Sequence, residues 1–330
     1  MKKIITFILA AVCSVVLSGT IAGCGGNDKV IRINEVTHSV FYAPLYLADS
    51  LGYFKEEGHE IELTNGGGAD KTMAAVLAGE ADVGFCGPEA VVYTRIGGTS
   101  DAPMVFGQMT KRDGSFLVGR NPEPNFDWKN LEGKTIIAGR PGGVPFMTFE
   151  YVLKTAGVNA NLVKNIDFNM TTAAFEGNTG DYCTMFEPTA SNYVAEGKGY
   201  IVASVGQESG EIPYTCFMAK QSYIDKNGDK VRSLLRAITK ATKYINEHDS
   251  ADVAAKIAKY FDATNVESIK TSVDSYKSID AWVTNMAMEE TSYERLLDVI
   301  ELAGELERRV DFNKVVLTEA ADNVYREIYA

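Results

Sequence analysis

The order of short apolar segments in residues 30–85 restricts the possible folds more than any other feature of the chain. Residues 30–36, 60–63 and 83–85 are rich in β-branched or alternating apolar side chains, which is typical of strands. The two segments between them have apolar side chains at helical spacing, and each is followed by a glycine able to end a helix. This strand–helix–strand–helix–strand order predicts a parallel sheet with helices on its faces.

A second unit of the same kind follows a proline-rich break at Asn121-Pro-Glu-Pro-Asn. We therefore expect an α/β protein with two Rossmann-like lobes, in which residues 30–118 begin lobe 1 and residues 119–215 form lobe 2. One strand of lobe 2 is expected near residues 163–168. Residues 216–330 are expected to return to lobe 1 and to add a C-terminal helical layer, because their apolar spacing becomes helical.

The charge balance limits the partners that the chain can bind. The net charge is −12, whereas binding to duplex nucleic acid needs a basic face, so we expect no nucleic-acid partner. An anionic small molecule stays possible as a ligand, because the local field of a pocket can oppose the net charge.

The cysteines predict no cross-linked framework. Cys86, Cys183 and Cys216 follow the N-terminal segment, and an odd number at wide separations indicates no disulfide framework, although one pair could bridge. We expect all three to be buried as small apolar side chains. The chain has three histidines and no Cys-x-x-Cys pair, so neither a metal site nor a cofactor is expected.

Three phrases of the sequence carry a resemblance to a known family. They are FYAPLYLADSLGYFKEEGHEIEL from residue 41, GGGADKTMAAVLAGEADVGFCGPEA from residue 66 and LEGKTIIAGRPGG from residue 131. Together they resemble the sulfonate, nitrate and thiamine-precursor group of solute-binding proteins that serve ABC importers. The resemblance implies the type II periplasmic-binding-protein fold, a ligand cleft between the lobes, and a membrane permease with its ATPase as partners.

Residues 1–23 have the pattern of a signal peptide, with two lysines before an apolar run that is too short to span a membrane comfortably. Ile21-Ala-Gly-Cys resembles a lipobox, and the resemblance implies that Cys24 becomes a lipid-modified N-terminus. The alternative is a plain signal peptide with an incidental cysteine. Residues 24–29 would form a flexible tether, and the mature chain would be an extracytoplasmic monomer anchored to the cell membrane.

Candidate ligand-binding residues lie where the predicted strands end. In a parallel α/β sheet, ligands bind outside the carboxyl ends of the strands. If the two lobes face each other, these corners converge on one cleft. The residues expected there are Thr37, His38, Ser39, Tyr42, Asn65, Gly66, Gly67, Gly68, Gly87, Glu89, Gln108, Arg140, Gly142, Gly143, Val144, Glu187 and Tyr214.

Two glycine-rich corners predict a site for an oxyanion. Gly66, Gly67 and Gly68 precede one predicted helix, and Gly142 and Gly143 precede another. Free backbone amides at a helix N-terminus suit a phosphate, sulfonate or carboxylate group. The alternative is that these glycines only permit tight turns.

Aromatic side chains near the same corners predict a site for a flat heteroaromatic ring, although each could instead belong to the core. Glu187 could accept a hydrogen bond from a ring amine. Arg140 could pair with an anionic ligand or neutralise a domain edge. The aromatic residues concerned are Phe41, Tyr42, Phe146, Phe186, Tyr214 and, at the rim, Trp282.

The sequence offers no evident catalytic constellation. His38 and Ser39 are adjacent, whereas a nucleophile and its base usually come from separate segments, with a third group that orients the base. We therefore expect His38 to line the cleft without acting as a catalyst. The leading function is solute capture for an ABC importer, and the ligand is either a sulfonate- or nitrate-like anion or a thiamine-type pyrimidine. The alternatives are a pyrimidine-precursor synthase-like enzyme and a ligand-sensing lipoprotein for a membrane kinase.

Overall fold

The computed structural model describes residues 29–166 and 170–330. The expected signal peptide and the lipidation site at Cys24 lie outside these residues and stay predictions. Among the described residues, no helix combines the length and apolar character needed to cross a bilayer.

The first sheet is mixed, and its strands come from two distant parts of the chain. Strand β1 pairs in parallel with β2 and β3, which confirms the predicted parallel unit. Strand β10 lies between β3 and β4 and is antiparallel to both, giving the order β2-β1-β3-β10-β4. The bounds are β1 Val30–Glu35, β2 Glu60–Asn65, β3 Val83–Cys86, β4 Pro103–Thr110 and β10 Thr215–Lys220.

The second sheet has the order β7-β6-β8-β5-β9. Strand β6 is parallel to β7 and β8, whereas β5 is antiparallel to β8 and β9. The bounds are β5 Ser115–Gly119, β6 Thr135–Ile137, β7 Asn161–Leu162, β8 Tyr182–Phe186 and β9 Tyr200–Ser204.

Two strand positions differ from the sequence expectation. Strand β5 is expected in lobe 1, but it pairs in the second sheet, so the chain changes sheets between Thr110 and Ser115. The strand expected near residues 163–168 is the short β7, which ends at Leu162, and residues 167–168 lie outside the described part. Below, lobe 1 means the first sheet with the helices packed on it, and lobe 2 means the second sheet with its helices.

The helices begin and end for local reasons. Pro44 stands in the first turn of α1, where a missing amide hydrogen does no harm, and Gly52 follows this helix in the left-handed conformation with φ +78°. The helices before β10 are α1 Ala43–Ser50, α2 Tyr53–Glu56, α3 Ala69–Ala78, α4 Glu89–Ile96, α5 Val144–Ala156, α6 Thr171–Glu176, α7 Thr189–Ala195 and α8 Val205–Ser209.

The C-terminal residues form the predicted helical layer. The stripe on α10 that includes Val231, Leu235 and Ile238 is buried, and α10 packs against α1 and α14. Helices α12 and α13 reach lobe 2, where they contact α7 and α5. The bounds are α9 Gln221–Lys226, α10 Gly228–Glu247, α11 Ser250–Ile257, α12 Val266–Ser278, α13 Glu290–Leu302 and α14 Glu319–Tyr329.

The buried apolar side chains form two clusters. The larger cluster runs from lobe 1 through the C-terminal helices into part of lobe 2, and the smaller one lies inside lobe 2. Phe146 is buried in the smaller cluster, which agrees with the alternative that this aromatic side chain belongs to the core. Cys86, Cys183 and Cys216 are buried free thiols, as the sequence predicted.

Candidate functional site

The carboxyl end of β1 meets the carboxyl end of β8 where the two lobes face each other. The Ser39 hydroxyl donates to the Glu187 carbonyl oxygen over 3.5 Å. The ring of Phe41 lies 6.1 Å from that of Phe186 and 5.8 Å from that of Tyr214, measured between centroids. We call this interface the inter-lobe cleft. Seven of the expected site residues are buried in or beside it: Ser39, Tyr42, Glu89, Gln108, Val144, Glu187 and Tyr214.

The segment that follows β1 is fixed from three sides. The Ser39 hydroxyl accepts a hydrogen bond from the Phe41 amide at 3.2 Å and so caps the short turn that begins α1. The Trp282 indole N–H donates to the Phe41 carbonyl oxygen at 2.8 Å. A Cβ on Gly114 would come within 2.7 Å of the Phe41 ring, so this ring is held against the first crossover between the lobes.

Glu187 is held by donors from both lobe 2 and the C-terminal layer. Its carboxylate accepts from the Ser191 amide at 2.9 Å, from the Ser191 hydroxyl at 2.6 Å and from the Ser275 hydroxyl at 2.9 Å. Its own amide donates to the Tyr276 hydroxyl oxygen at 3.0 Å. A carboxylate offers about four acceptor sites, so most of its capacity is used within the protein.

Glu89 is a buried carboxyl with a free oxygen. It is the first residue of α4, and its Oε2 has no hydrogen-bond partner. Burial raises the pKa of Glu89 to about 7, while the backbone amides of Glu89, Ala90 and Val144 act against this rise. Val144 begins α5, so the carboxyl of lobe 1 faces a helix N-terminus of lobe 2. A Cβ on Gly87 would lie 2.0 Å from Oε2, which explains the glycine there.

Asp113 and Tyr214 bring two more unpartnered polar atoms to the crossovers between the lobes. Asp113 is completely buried; its Oδ1 accepts from the Ser115 amide at 2.6 Å and the Ser115 hydroxyl at 2.5 Å, and its Oδ2 has no partner. Burial raises the pKa of Asp113 to about 6, against the effect of the Ser115 and Tyr214 side chains. The Tyr214 hydroxyl faces the Asp113 carboxyl closely enough to lower the pKa of Asp113, although the contact lacks the geometry of an ordinary hydrogen bond.

Tyr42 and Gln108 are also buried, but their polar atoms have partners. The Gln108 side-chain amide donates to the Thr110 carbonyl oxygen at 3.1 Å. Thr215 hydrogen bonds to the Tyr42 hydroxyl, although burial still raises the pKa of this tyrosine. These two side chains therefore offer little free hydrogen-bonding capacity.

The glycine corner after β2 differs from the sequence expectation. The amide of Gly66 donates to the Glu35 carbonyl oxygen, that of Gly67 to Asn65 Oδ1 and that of Gly68 to the Val36 carbonyl oxygen, at 2.8, 2.9 and 3.1 Å. These three amides are therefore not free for an oxyanion, and the prediction that they are exposed donors is wrong.

In the glycine corner after β6, backbone amides are also partly used in hydrogen bonds within the protein. The Gly143 amide donates to the Arg140 carbonyl oxygen at 3.4 Å, and the Val144 amide faces Glu89. Gly142 has φ +82°, as the tight-turn alternative requires. Arg140 is exposed, and its guanidinium lies 3.8 Å from Asp70 Oδ2 on the opposite lobe, so the pair spans the rim of the cleft.

His38 and Asn65 lie away from the buried cleft. They line a surface pocket of about 520 Å³, which we call the outer pocket, together with Glu35, Asp49, Ile61, Leu63 and Tyr260. Thr37 is half-buried on the adjoining turn.

Both ring nitrogens of His38 face oxygen acceptors. Nδ1 lies 2.8 Å from Glu35 Oε1, and Nε2 lies 2.7 Å from the Tyr260 carbonyl oxygen. Glu35 also accepts from the Tyr46 hydroxyl at 2.6 Å. Because both nitrogens must donate, the geometry favours the imidazolium form, and the hydrogen bond to Glu35 raises the pKa of His38.

The buried members of one group of side chains in the described residues are all acidic. Within residues 29–166 and 170–330, the buried side chains among Asp, Glu, His, Lys and Arg are Glu35, Glu89, Asp113 and Glu187. Sequence reasoning missed Asp113 because Asp-Gly after a strand indicates a turn. It also missed Tyr276 and Ser275, because nothing in a helical pattern shows that α12 reaches the opposite lobe.

The chain therefore has the architecture of the type II periplasmic binding proteins, with a buried polar site between two α/β lobes. It belongs to the family described as NMT1/THI5 like, which matches residues 40–251. It is 40% identical over 324 residues to the "Putative binding protein YtlA" of Bacillus subtilis, and the match covers 96% of this chain and 97% of that protein.

Two further proteins that this chain resembles differ in their described roles. A 4-amino-5-hydroxymethyl-2-methylpyrimidine phosphate synthase of Aspergillus parasiticus is 25% identical over 72% of this chain and 71% of its own length. The periplasmic nitrate-binding protein NrtA from Synechocystis PCC 6803 is similar in structure, with a TM-score of 0.74 and 16% identity over 91% of this chain and 89% of that chain. The second likeness concerns the fold alone.

Proposed function

We propose that this protein captures a small organic solute between its two lobes and delivers it to the permease of an ABC importer, whose ATPase drives uptake. The observation that carries the proposal is the buried carboxyl oxygen Glu89 Oε2 at the lobe interface, which has no hydrogen-bond partner within the protein. Buried polar groups without partners are unfavourable in a folded protein unless a ligand or water satisfies them. Similarity to a described binding protein over nearly the whole chain supports the same role.

The proposal also covers the location of the protein in the cell and its oligomeric state. The chain acts outside the cytoplasm as a monomer, held at the membrane by lipid on Cys24 after removal of residues 1–23. Mass spectrometry of protein expressed in a bacterial host tests this part, because lipidation adds a diacylglyceryl mass at Cys24. Cleavage elsewhere, with Cys24 unmodified, would contradict it.

Capture is a better account of the site than catalysis. The synthase relative makes an enzyme the second candidate. His38 is the side chain best suited to act as a general base, but both of its nitrogens are engaged by Glu35 and Tyr260. A protein that converts its ligand into a product during incubation would contradict the capture function, whereas release of unchanged ligand supports it.

A thermal-shift screen of the chain without its signal peptide tests the proposed function. The screen would include sulfonates, nitrate, pyrimidines and flavin precursors. A ligand present at about 100 times its dissociation constant adds about 2.7 kcal/mol to the free energy of unfolding, which raises the melting temperature measurably. The absence of any shift across all these classes would reject this grouping of ligands.

A further inference from the structure

Two of the buried thiols, Cys86 and Cys216, face each other across neighbouring strands of the first sheet. We propose that they form a disulfide when the chain folds in contact with a disulfide oxidant, and that this bond fastens β3 to β10. The inference rests on the proposed function in one respect: a chain that acts outside the cytoplasm folds where disulfides form and persist.

The register of the sheet gives the two cysteines the separation that a disulfide needs. Strands β3 and β10 are antiparallel, and Cys216 lies directly opposite Cys86. Residues directly opposite each other in an antiparallel pair have Cα atoms about 4.5–5.5 Å apart. A disulfide joins residues whose Cα atoms are about 4.4–6.8 Å apart, so the strand spacing already satisfies this requirement.

The two side chains also point to the same side of the sheet. Directly opposite residues of an antiparallel pair share a face, as do residues two apart on one strand. Cys86 Sγ lies 3.6 Å from Sδ of Met218, which is two residues beyond Cys216 on β10. Burial, Glu89 and Cys216 together raise the pKa of the Cys86 thiol, so the two thiols are close enough to interact electrostatically.

The environment of the thiols indicates when the bond forms. Both side chains are fully buried, and burial raises the pKa of each thiol. The thiolate is the form that attacks a disulfide, so the folded chain should react slowly and the bond should form during folding. One thiolate attacks a small disulfide such as oxidised glutathione, and the second thiolate then displaces the remaining glutathione. The two cysteines lose two electrons and two protons in total, and one oxidised glutathione becomes two reduced ones.

The position of the two strands in the chain gives the bond its effect. Strand β3 precedes lobe 2 in the sequence and β10 follows it, so the bond closes a loop that contains the whole of lobe 2. A cross-link that closes a long loop restricts the unfolded chain and so stabilises the folded one. The disulfide should therefore raise the melting temperature of the protein.

Thiol counting on the unsubstituted protein tests the pairing. The chain from residue 25 onward would be refolded with oxidised and reduced glutathione, unfolded in the presence of iodoacetamide and digested for mass spectrometry. We expect one alkylated cysteine, Cys183, and a linked peptide pair that contains Cys86 and Cys216. The melting temperature of this form should lie about 5 °C or more above that of the same protein in reductant.

Single substitutions identify the thiols involved. Cys86→Ser and Cys216→Ser should each leave two alkylated cysteines and abolish the difference in melting temperature between oxidising and reducing buffer. Cys183→Ser is the matched control, because it removes a buried thiol from β8 of the second sheet and should retain both the linked pair and the difference. The count on the unsubstituted protein stands without these variants, so a poorly folded variant would not leave the proposal untested.

Three alkylated cysteines after oxidative refolding, a bond that includes Cys183, or a melting temperature that does not respond to reductant would each overturn the proposal. The same count on protein extracted from a bacterial host separates it from the proposed function. Lipid on Cys24 together with free Cys86 and Cys216 contradicts the disulfide and leaves export intact. A Cys86–Cys216 bond after refolding, with Cys24 unmodified in cells, supports the pairing and contradicts the proposed location.

Discussion

At the level of single residues, Glu89 makes the stability of the protein depend on pH. Burial raises the pKa of its carboxyl from 4.5 to about 7, so the folded state binds more protons than the unfolded state between these values. The contribution of Glu89 to the free energy of unfolding is therefore largest below about pH 4.5 and is lost as the pH rises through 7. Asp113 acts in the same direction, up to about pH 6.

Glu89→Gln should remove this dependence. Relative to the unsubstituted protein, we expect the variant to gain about 3 kcal/mol in free energy of unfolding between pH 4 and pH 8, since one pKa unit corresponds to about 1.4 kcal/mol. Urea unfolding at the two pH values measures the change, and the packing cost of the amide cancels in the comparison. Glu62→Gln is the control, and an equal difference at both pH values would contradict the account of Glu89.

His38 should also make the stability of the protein depend on pH, but here a hydrogen bond rather than burial raises the pKa. Its pKa is raised chiefly by the hydrogen bond to Glu35, so its stabilising effect is complete below about pH 6.5 and disappears as the pH rises through the higher pKa of the folded state. His38→Gln should therefore be destabilising at pH 6 and less so at pH 9. With 37% of the His38 side chain exposed, screening limits the effect to about 1 kcal/mol or less.

Denaturation at these two pH values measures the difference, and nitrogen NMR of the imidazole gives an independent readout. Both ring nitrogens should carry protons at neutral pH because both face acceptors. A neutral tautomer at pH 6, or a destabilisation that does not change with pH, would be inconsistent with this prediction.

The sequence could predict a site residue only where that residue directly follows a predicted strand. Ser39 and Glu187 follow predicted strands, so the rule for carboxyl ends places them at the lobe interface, where the structure has them. The same rule could not show that the Gly67 amide is used by Asn65, because hydrogen-bond partners within a turn depend on its exact backbone angles. The burial of Asp113 could not be predicted either, because an Asp-Gly turn has the same sequence whether it lies on the surface or between two lobes.

At the level of elements, the short helix α8 lies directly against the first crossover. A Cβ on Gly206 would come within 2.1 Å of the Asp113 carbonyl oxygen and 3.0 Å of the Asp113 amide nitrogen. Both contacts are with backbone, which cannot rotate away as a side chain can. The two chain segments that connect the lobes therefore approach this closely only because residue 206 is glycine.

Gly206→Ala tests this approach. We expect a loss of about 3 kcal/mol or more in free energy of unfolding, because the crossovers must separate to admit the methyl group. Gly228→Ala is the matched control: no atom lies within 4 Å of its Cβ position, and alanine favours a helix, so the change should stay within about 1 kcal/mol. Equal stability of the two variants by urea unfolding would refute the proposed contact.

Periodicity was sufficient to predict an element that buries one face, whichever partner covers that face. The stripe on α10 predicted a core-facing helix, and the helix is there with that face buried. For strand β5 the predicted sheet was wrong, because its short run of buried residues fits either sheet equally well. Its true partners β8 and β9 are more than 60 residues away in the chain, so local spacing carries no information about the pairing.

For the whole molecule, α12 links the two lobes independently of the crossovers. Its Ser275 hydroxyl donates to Glu187 at 2.9 Å, and its Ser268 hydroxyl donates to Asn192 Oδ1 at 2.7 Å. Lobe opening of the kind that binding proteins use must break these bonds or carry α12 along. The helix therefore contributes to the balance between open and closed forms.

The double substitution Ser268→Ala and Ser275→Ala should shift this balance toward open lobes, since hydrogen bonds of this kind contribute about 1 kcal/mol or more each. Small-angle X-ray scattering of the ligand-free protein should show a larger radius of gyration. Ser278→Ala is the control, because that hydroxyl bonds only to the Ser275 carbonyl oxygen of its own helix. An unchanged radius in the double variant would show that α12 does not hold the lobes.

The position of β10 also sets the order in which the polypeptide can fold as it leaves the ribosome. Lobe 2 can complete its sheet once residue 204 has been synthesised, whereas β3 and β4 of lobe 1 have no strand between them until residue 220 emerges. Until then, the edges of β3 and β4 that pair with β10 in the folded protein have no partner strand. Lobe 1 therefore completes its sheet only after the last strand of lobe 2 has been synthesised.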